Sequence, residues 1–88
     1  MERTVTVAIL EGLHARPAAM FVQEAGKQPV PVTISRGEDE PVDAASILGV
    51  MTLGAAAGEV VTLRTEGDGP DDVTALDALE AFLSQETI

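Results

Sequence analysis

Short runs in which apolar residues alternate with hydroxyl-bearing ones are interleaved with runs of helical spacing, and this narrows the folds open to a chain of 88 residues. Val5, Val7 and Ile9 alternate with Thr4, Thr6 and Ala8, so a strand there presents one apolar and one wettable face. Val30, Val32 and Ile34 alternate with Pro31, Thr33 and Ser35, and Val61 and Leu63 with Thr62 and Arg64. Pro31 donates no amide, which places the second strand near an edge or leaves that amide position exposed. Between these runs, Arg36 to Glu40 reads as a turn, followed by a short strand around Pro41 and Val42. Such half-wet strands suit an antiparallel sheet covered on one face only.

The covering helices have their own marks. Pro17 stands where a helix begins, because the first turn leaves an N–H unpaired in any case. Ala18, Phe21, Val22 and Ala25 then line one face, and Gly26 closes the helix. Ser46 reads as the N-cap of a brief second helix closed by Gly54. Its residues Ile47, Leu48, Val50, Met51 and Leu53 are apolar nearly all round, more than so short a helix can bury, so part of that surface is expected to face a partner. After the Gly67–Pro70 turn, Asp71 and Asp72 open a third helix near the positive end of its dipole, and Val73, Leu76, Leu79 and Leu83 supply its core face. The expected fold is an α+β open-faced sandwich of order βαββαβα, a four-stranded antiparallel sheet under three helices, with residues 1–88 as a single domain.

Composition excludes several functions. Fifteen acidic against five basic residues give a net charge of −10, and a surface so negative repels phosphate backbones, which bind by exchanging counterions for Lys and Arg. Nucleic acid is therefore not an expected partner, and the two aromatics, Phe21 and Phe82, offer no stacking platform. No run is long enough to insert in a membrane, and no basic stretch leading into an apolar run marks a signal peptide. With no cysteine, disulfides and thiolate metal sites are absent, which suits the cytoplasm. The acidic runs Glu38-Asp39-Glu40 and Asp68, Asp71, Asp72 read as solvated turns and helix starts, not metal ligands, and no cofactor is expected.

The stretch Gly12-Leu13-His14-Ala15-Arg16-Pro17 carries the chemistry. It sets the chain's one histidine just before a helix N-terminus with a guanidinium beside it. Free amides and a cation disfavour imidazolium and welcome an anion, so the ring is placed to act as a nucleophile that holds a phosphoryl group. A phosphoramidate at a ring nitrogen divides one transfer into two. A lone histidine before a helix can equally be a surface polar group or a cap, and the residues alone leave both readings open.

Gly12-Leu13-His14-Ala15-Arg16-Pro17-Ala18 and Ala45-Ser46-Ile47-Leu48-Gly49-Val50-Met51-Thr52-Leu53-Gly54 together resemble the histidine-containing phosphocarrier (HPr) family of the bacterial phosphoenolpyruvate-dependent sugar phosphotransferase system. The resemblance implies that His14 accepts a phosphoryl group on Nδ1 from Enzyme I, charged by phosphoenolpyruvate, and passes it to sugar-specific IIA domains. It implies that Arg16 neutralises that group while Pro17 and the helix amides hold it, and that Ser46 is the position a serine kinase or phosphorylase acts on in many relatives. Ala19, Met20, Ile47, Leu48 and Met51 resemble the family's apolar docking patch. Core packing is the competing reading for these apolar positions, the stronger one for Val50 and Leu53 and the weaker for Leu48 and Met51. The chain departs from the family in its basic rim: Gln23, Gly26, Ala44 and Ala45 stand where lysines are common, and Lys27 is its one lysine. This lysine-poor pattern resembles high-GC bacterial members. A monomer is expected.

Three other functions compete. A regulatory HPr-like module acting through the Ser46 surface has the same pattern, but its paralogues lack the histidine. An acyl carrier is all-helical with Asp before its serine, whereas Ala45 stands there. A small acyl-phosphate hydrolase needs an asparagine to position water, and this chain has none.

Overall fold

The alternating runs pair as one sheet. A computed structural model describes residues 1–88, with strands β1 (Glu2–Thr6), β2 (Thr33–Arg36), β3 (Val42–Asp43) and β4 (Val60–Arg64), and helices α1 (Ala15–Gly26), α2 (Ile47–Leu53) and α3 (Pro70–Leu83). The order in the sheet is β1-β4-β2-β3, every neighbour antiparallel. Val5 lies opposite Val61 and Ile34 opposite Leu63, which fixes the register by stacking apolar residues on the covered face. Above them sit Ala18 and Phe21 of α1, Val50 and Leu53 of α2, and Leu76, Leu79 and Leu83 of α3, all buried. Phe21 and Phe82 meet edge to face with centroids 5.6 Å apart, the geometry their ring quadrupoles favour. The helix α1 packs against both α2 and α3. The open α+β sandwich of order βαββαβα is thus the fold that the sequence pattern predicts.

Three details differ and one alternative is resolved. The first strand ends at Thr6, although Val7 and Ile9 stay buried. Val7 still bonds to Glu59 and Gly58, and beyond it the amides of Ala8 and Leu10 turn to the carbonyls of Leu83, the last residue of α3, and Glu86 after it. The strand β2 is itself interior, bordered by the two-residue β3, and Pro31 lies exposed before it, the second of the two arrangements open to that proline. The helix α1 starts at Ala15, so Pro17 is its third residue, still within the turn whose amides need no helical partner. Val73 is half-exposed instead of core, because Asp72 takes the inward position of the first turn of α3.

Asp72 has a structural reason to point inward. Its Oδ1 accepts the Gly67 amide and its Oδ2 the Gly69 amide, each at 3.2 Å, closing the turn before the helix. The Thr65 side chain and then these amides hold the carboxyl below the usual Asp value of 3.8. A depressed carboxylate adds stability above its unfolded pKa and loses it as pH falls through the folded one. Urea midpoints should therefore drop as pH falls below 3.8, and Asp72→Asn should be less stable at neutral pH with a shallower acid slope; an unchanged slope contradicts this role.

Candidate phosphoryl-accepting site

The end of the sandwich near the start of α1 is built from a buried residue followed by an exposed one. Leu13 is fully buried and its amide donates to the Ala55 carbonyl at 2.7 Å. His14, next in the chain, is exposed. Gly12 makes this possible with φ +71°, and a Cβ there would stand 2.9 Å from the Ala55 oxygen. Neither the conformation nor the space admits another residue.

His14 occupies the N-cap position of α1 in an extended conformation, φ −124° and ψ 156°, and its side chain caps no amide. The ring is thereby left free. Its Cδ2 edge lies toward Gly12. The Ala18 amide reaches the His14 carbonyl at 3.4 Å, while the amides of Ala15 and Arg16 have no acceptor within the fold. Two donors at a helix N-terminus beside an exposed ring constitute an anion-binding corner.

Arg16 is exposed, and it is one of two cations left unpaired. Arg3 binds Asp77 and Glu80, Arg36 binds Asp39 and Glu59, and Arg64 binds Glu2, so free positive charge remains on Arg16 and Lys27 of the five basic residues. Pro17 is buried and rigidifies the first turn. Ala15 has φ +46° and is the one non-glycine residue in the left-handed region, a conformation that costs an L-residue about 1–2 kcal/mol. This strain falls on the first residue of α1, two residues after the buried Leu13.

The second motif folds as its capping residues dictate. Ser46 Oγ accepts the Gly49 amide at 3.1 Å and Gly54 closes α2 in the left-handed conformation. Val50 and Leu53 are buried, whereas Ile47, Leu48 and Met51 are exposed by 39, 77 and 51%. On α1, Ala19 is exposed and Met20 half-buried. The packing of α1 on α2 puts these two apolar surfaces on neighbouring helices. The acidic runs do other work: Asp39 pairs with Arg36 and Asp72 caps α3.

Sequence reading passes over a further set, Leu13, Arg36, Ala55 and Glu59. Glu59 Oε1 accepts the Ala56 amide at 2.7 Å and an Arg36 N–H at 3.4 Å. The Ala56 bond first, and then Arg36, hold the Glu59 carboxyl below its usual value. The available signal was the pair Gly54 and Gly58 around three alanines, the mark of a tight turn.

The sequence matches the family described as "PTS HPr component phosphorylation site" over residues 1–85. It is 53% identical over 85 residues to the phosphocarrier protein HPr of Haloferax volcanii, covering 96% of this chain and 93% of that one. It is 42% identical over 86 residues to the HPr-like protein Crh of Halalkalibacterium halodurans, covering 98 and 99%. The crystal structure of the phosphocarrier protein HPr from Bacillus anthracis superposes with a TM-score of 0.85 at 40% identity, covering 94% of this chain and 95% of that one. Fold and site define a small carrier with one accessible histidine. The chain belongs to the HPr family, the phosphocarriers of the phosphotransferase system.

The strain at Ala15 is open to measurement. Ala15→Gly should leave stability unchanged or raise it by up to about 1 kcal/mol, since glycine adopts positive φ freely. Ala18→Gly, in regular helix, should cost about 1 kcal/mol. Equal losses in urea titrations of the two variants would contradict a left-handed Ala15.

Proposed function

We propose that residues 1–88 act as one phosphocarrier domain, a cytoplasmic monomer that takes a phosphoryl group on His14 from Enzyme I and gives it to IIA domains during sugar uptake. The observation that carries this reading is the uncapped, exposed imidazole at the N-cap of α1, followed in the chain by the free amides of Ala15 and Arg16 and by an Arg16 side chain with no ion-pair partner. The Nδ1 lone pair attacks phosphorus as the bond to the donor breaks, leaving a phosphoramidate on the ring. Arg16 and the two amides offset the charge of the dianion. The acceptor's nucleophile then attacks the same phosphorus, the N–P bond breaks and the imidazole is restored. The buried Pro17 keeps those amides in place. No helix is long and apolar enough to cross a membrane.

Ala19, Met20, Ile47, Leu48 and Met51 form the docking surface in this account. Methionines adapt to several partners, which a shared carrier requires. Ser46 is a regulatory position for a serine kinase or phosphorylase. Its hydroxyl caps α2 next to the exposed Ile47 and Leu48, so a phosphate there places negative charge at the docking surface. The likeness to Crh supports a second reading, an HPr-like module that regulates through the Ser46 surface; His14 distinguishes the two.

His14→Ala should abolish phosphoryl acceptance with an unchanged far-ultraviolet circular dichroism spectrum, and acceptance retained on another residue refutes the assignment. Ser46→Asp should slow transfer from Enzyme I by about three- to tenfold at low ionic strength, with a smaller effect in high salt. Unchanged kinetics would remove Ser46 from the regulatory role.

A further inference from the structure

The turn joining α2 to β4 is clamped at two points by side chains from outside the phosphocarrier motif. Arg36 Nη1 donates to the Gly54 carbonyl at 3.2 Å. Glu59 Oε1 accepts the Ala56 amide at 2.7 Å, and the two clamping side chains bond to each other at 3.4 Å. Between the clamped residues lies Ala55, fully buried, whose carbonyl accepts the Leu13 amide at 2.7 Å. The Gly12 backbone is packed against Ala55 and Ala56 so tightly that a Cβ would stand 2.9 Å from the Ala55 oxygen. The backbone bearing His14 therefore rests on a turn whose flanking peptide groups are fixed by Arg36 and Glu59.

Taking His14 as the phosphoryl acceptor, we propose that Glu59, supported by Arg36, is a positioning residue that fixes the Gly54–Ala56 turn and through it the His14 backbone for phosphoryl transfer. Glu59 reaches the reacting ring through Ala56, Ala55 and Leu13. The clamp is local: Glu59 and Arg36 sit on β4's entry and on β2, and neither belongs to the exposed apolar surface of α2. A side chain that acts on geometry alone changes the rate once the partner is bound and leaves docking intact. Loss of the Ala56 bond lets the turn shift, and displacements of about 1 Å at a reacting group reduce rates by one to two orders of magnitude.

The test compares Glu59→Ala, Glu59→Gln and Arg36→Gln with wild type. Transfer from phosphorylated Enzyme I is followed by rapid quench, with urea midpoints measured in parallel and His14→Ala as the inactive control. Glu59→Ala should lower kcat about tenfold with KM for the carrier within twofold. Glu59→Gln retains an oxygen that accepts the Ala56 amide and should recover most of the rate. Arg36→Gln, which disturbs the clamp from the other side, should give an intermediate loss and keeps the test open if Glu59→Ala does not fold. The proposal is overturned if the folded clamp variants transfer at the wild-type rate, if Glu59→Gln is as slow as Glu59→Ala, or if the loss lies in KM. Transfer by wild type and none by His14→Ala in the same assay separates failure of the clamp from failure of the carrier reading.

Discussion

The bond from the Leu13 amide to the Ala55 carbonyl, made by a residue whose side chain is fully buried, is the constraint on which the site depends. A histidine that carries a phosphoryl group, as proposed for His14, has to be exposed to a donor and an acceptor and yet held still, and His14 has no side-chain bond of its own. Its fixity comes from the residue before it. Burying a leucine contributes about 1.5–3 kcal/mol and the hydrogen bond about 1 kcal/mol. The left-handed Ala15 that follows costs about 1–2 kcal/mol. The anchor therefore outweighs the strain it imposes, and the chain can leave the core, present an imidazole and enter α1 within a few residues.

Charge is distributed around that anchor in an uneven way. A protein with a net charge of −10 must still accept a dianion on its surface, which bulk electrostatics oppose. Three of the five basic side chains are already joined to carboxylates, and such exposed pairs add little stability. Their effect is to leave Arg16 as the free cation at the start of α1. With so few cations at the rim, the proposed docking rests on Arg16 and on the exposed apolar surface of Ile47, Leu48 and Met51.

Much of this was legible in the sequence because the relevant signals are local. Alternation marked the strands, Ser46 and Gly54 marked the ends of α2, and the apolar excess of that helix marked Leu48 and Met51 as exposed. The motif around His14 was legible as an anion corner, and its likeness to a known family made the chemistry specific. What escaped were long-range pairings. Nothing in the run Gly54–Glu59 shows that its carbonyl at Ala55 holds Leu13, or that Arg36 closes over it from another strand. The end of β1 at Thr6 is equally hidden, because it follows from amides finding acceptors at the far end of the chain. Val73 was misplaced because helical spacing does not register that Asp72 is needed inside as a cap.

The most direct test of the account is intact-protein mass spectrometry after incubation with Enzyme I, Mg²⁺ and phosphoenolpyruvate, before and after mild acid treatment. A phosphoramidate on His14 gives a single phosphoryl adduct that acid removes and that the His14→Ala variant never forms. An adduct that survives acid, or none at all while the same Enzyme I charges another carrier, would contradict the central claim that His14 is the phosphoryl acceptor.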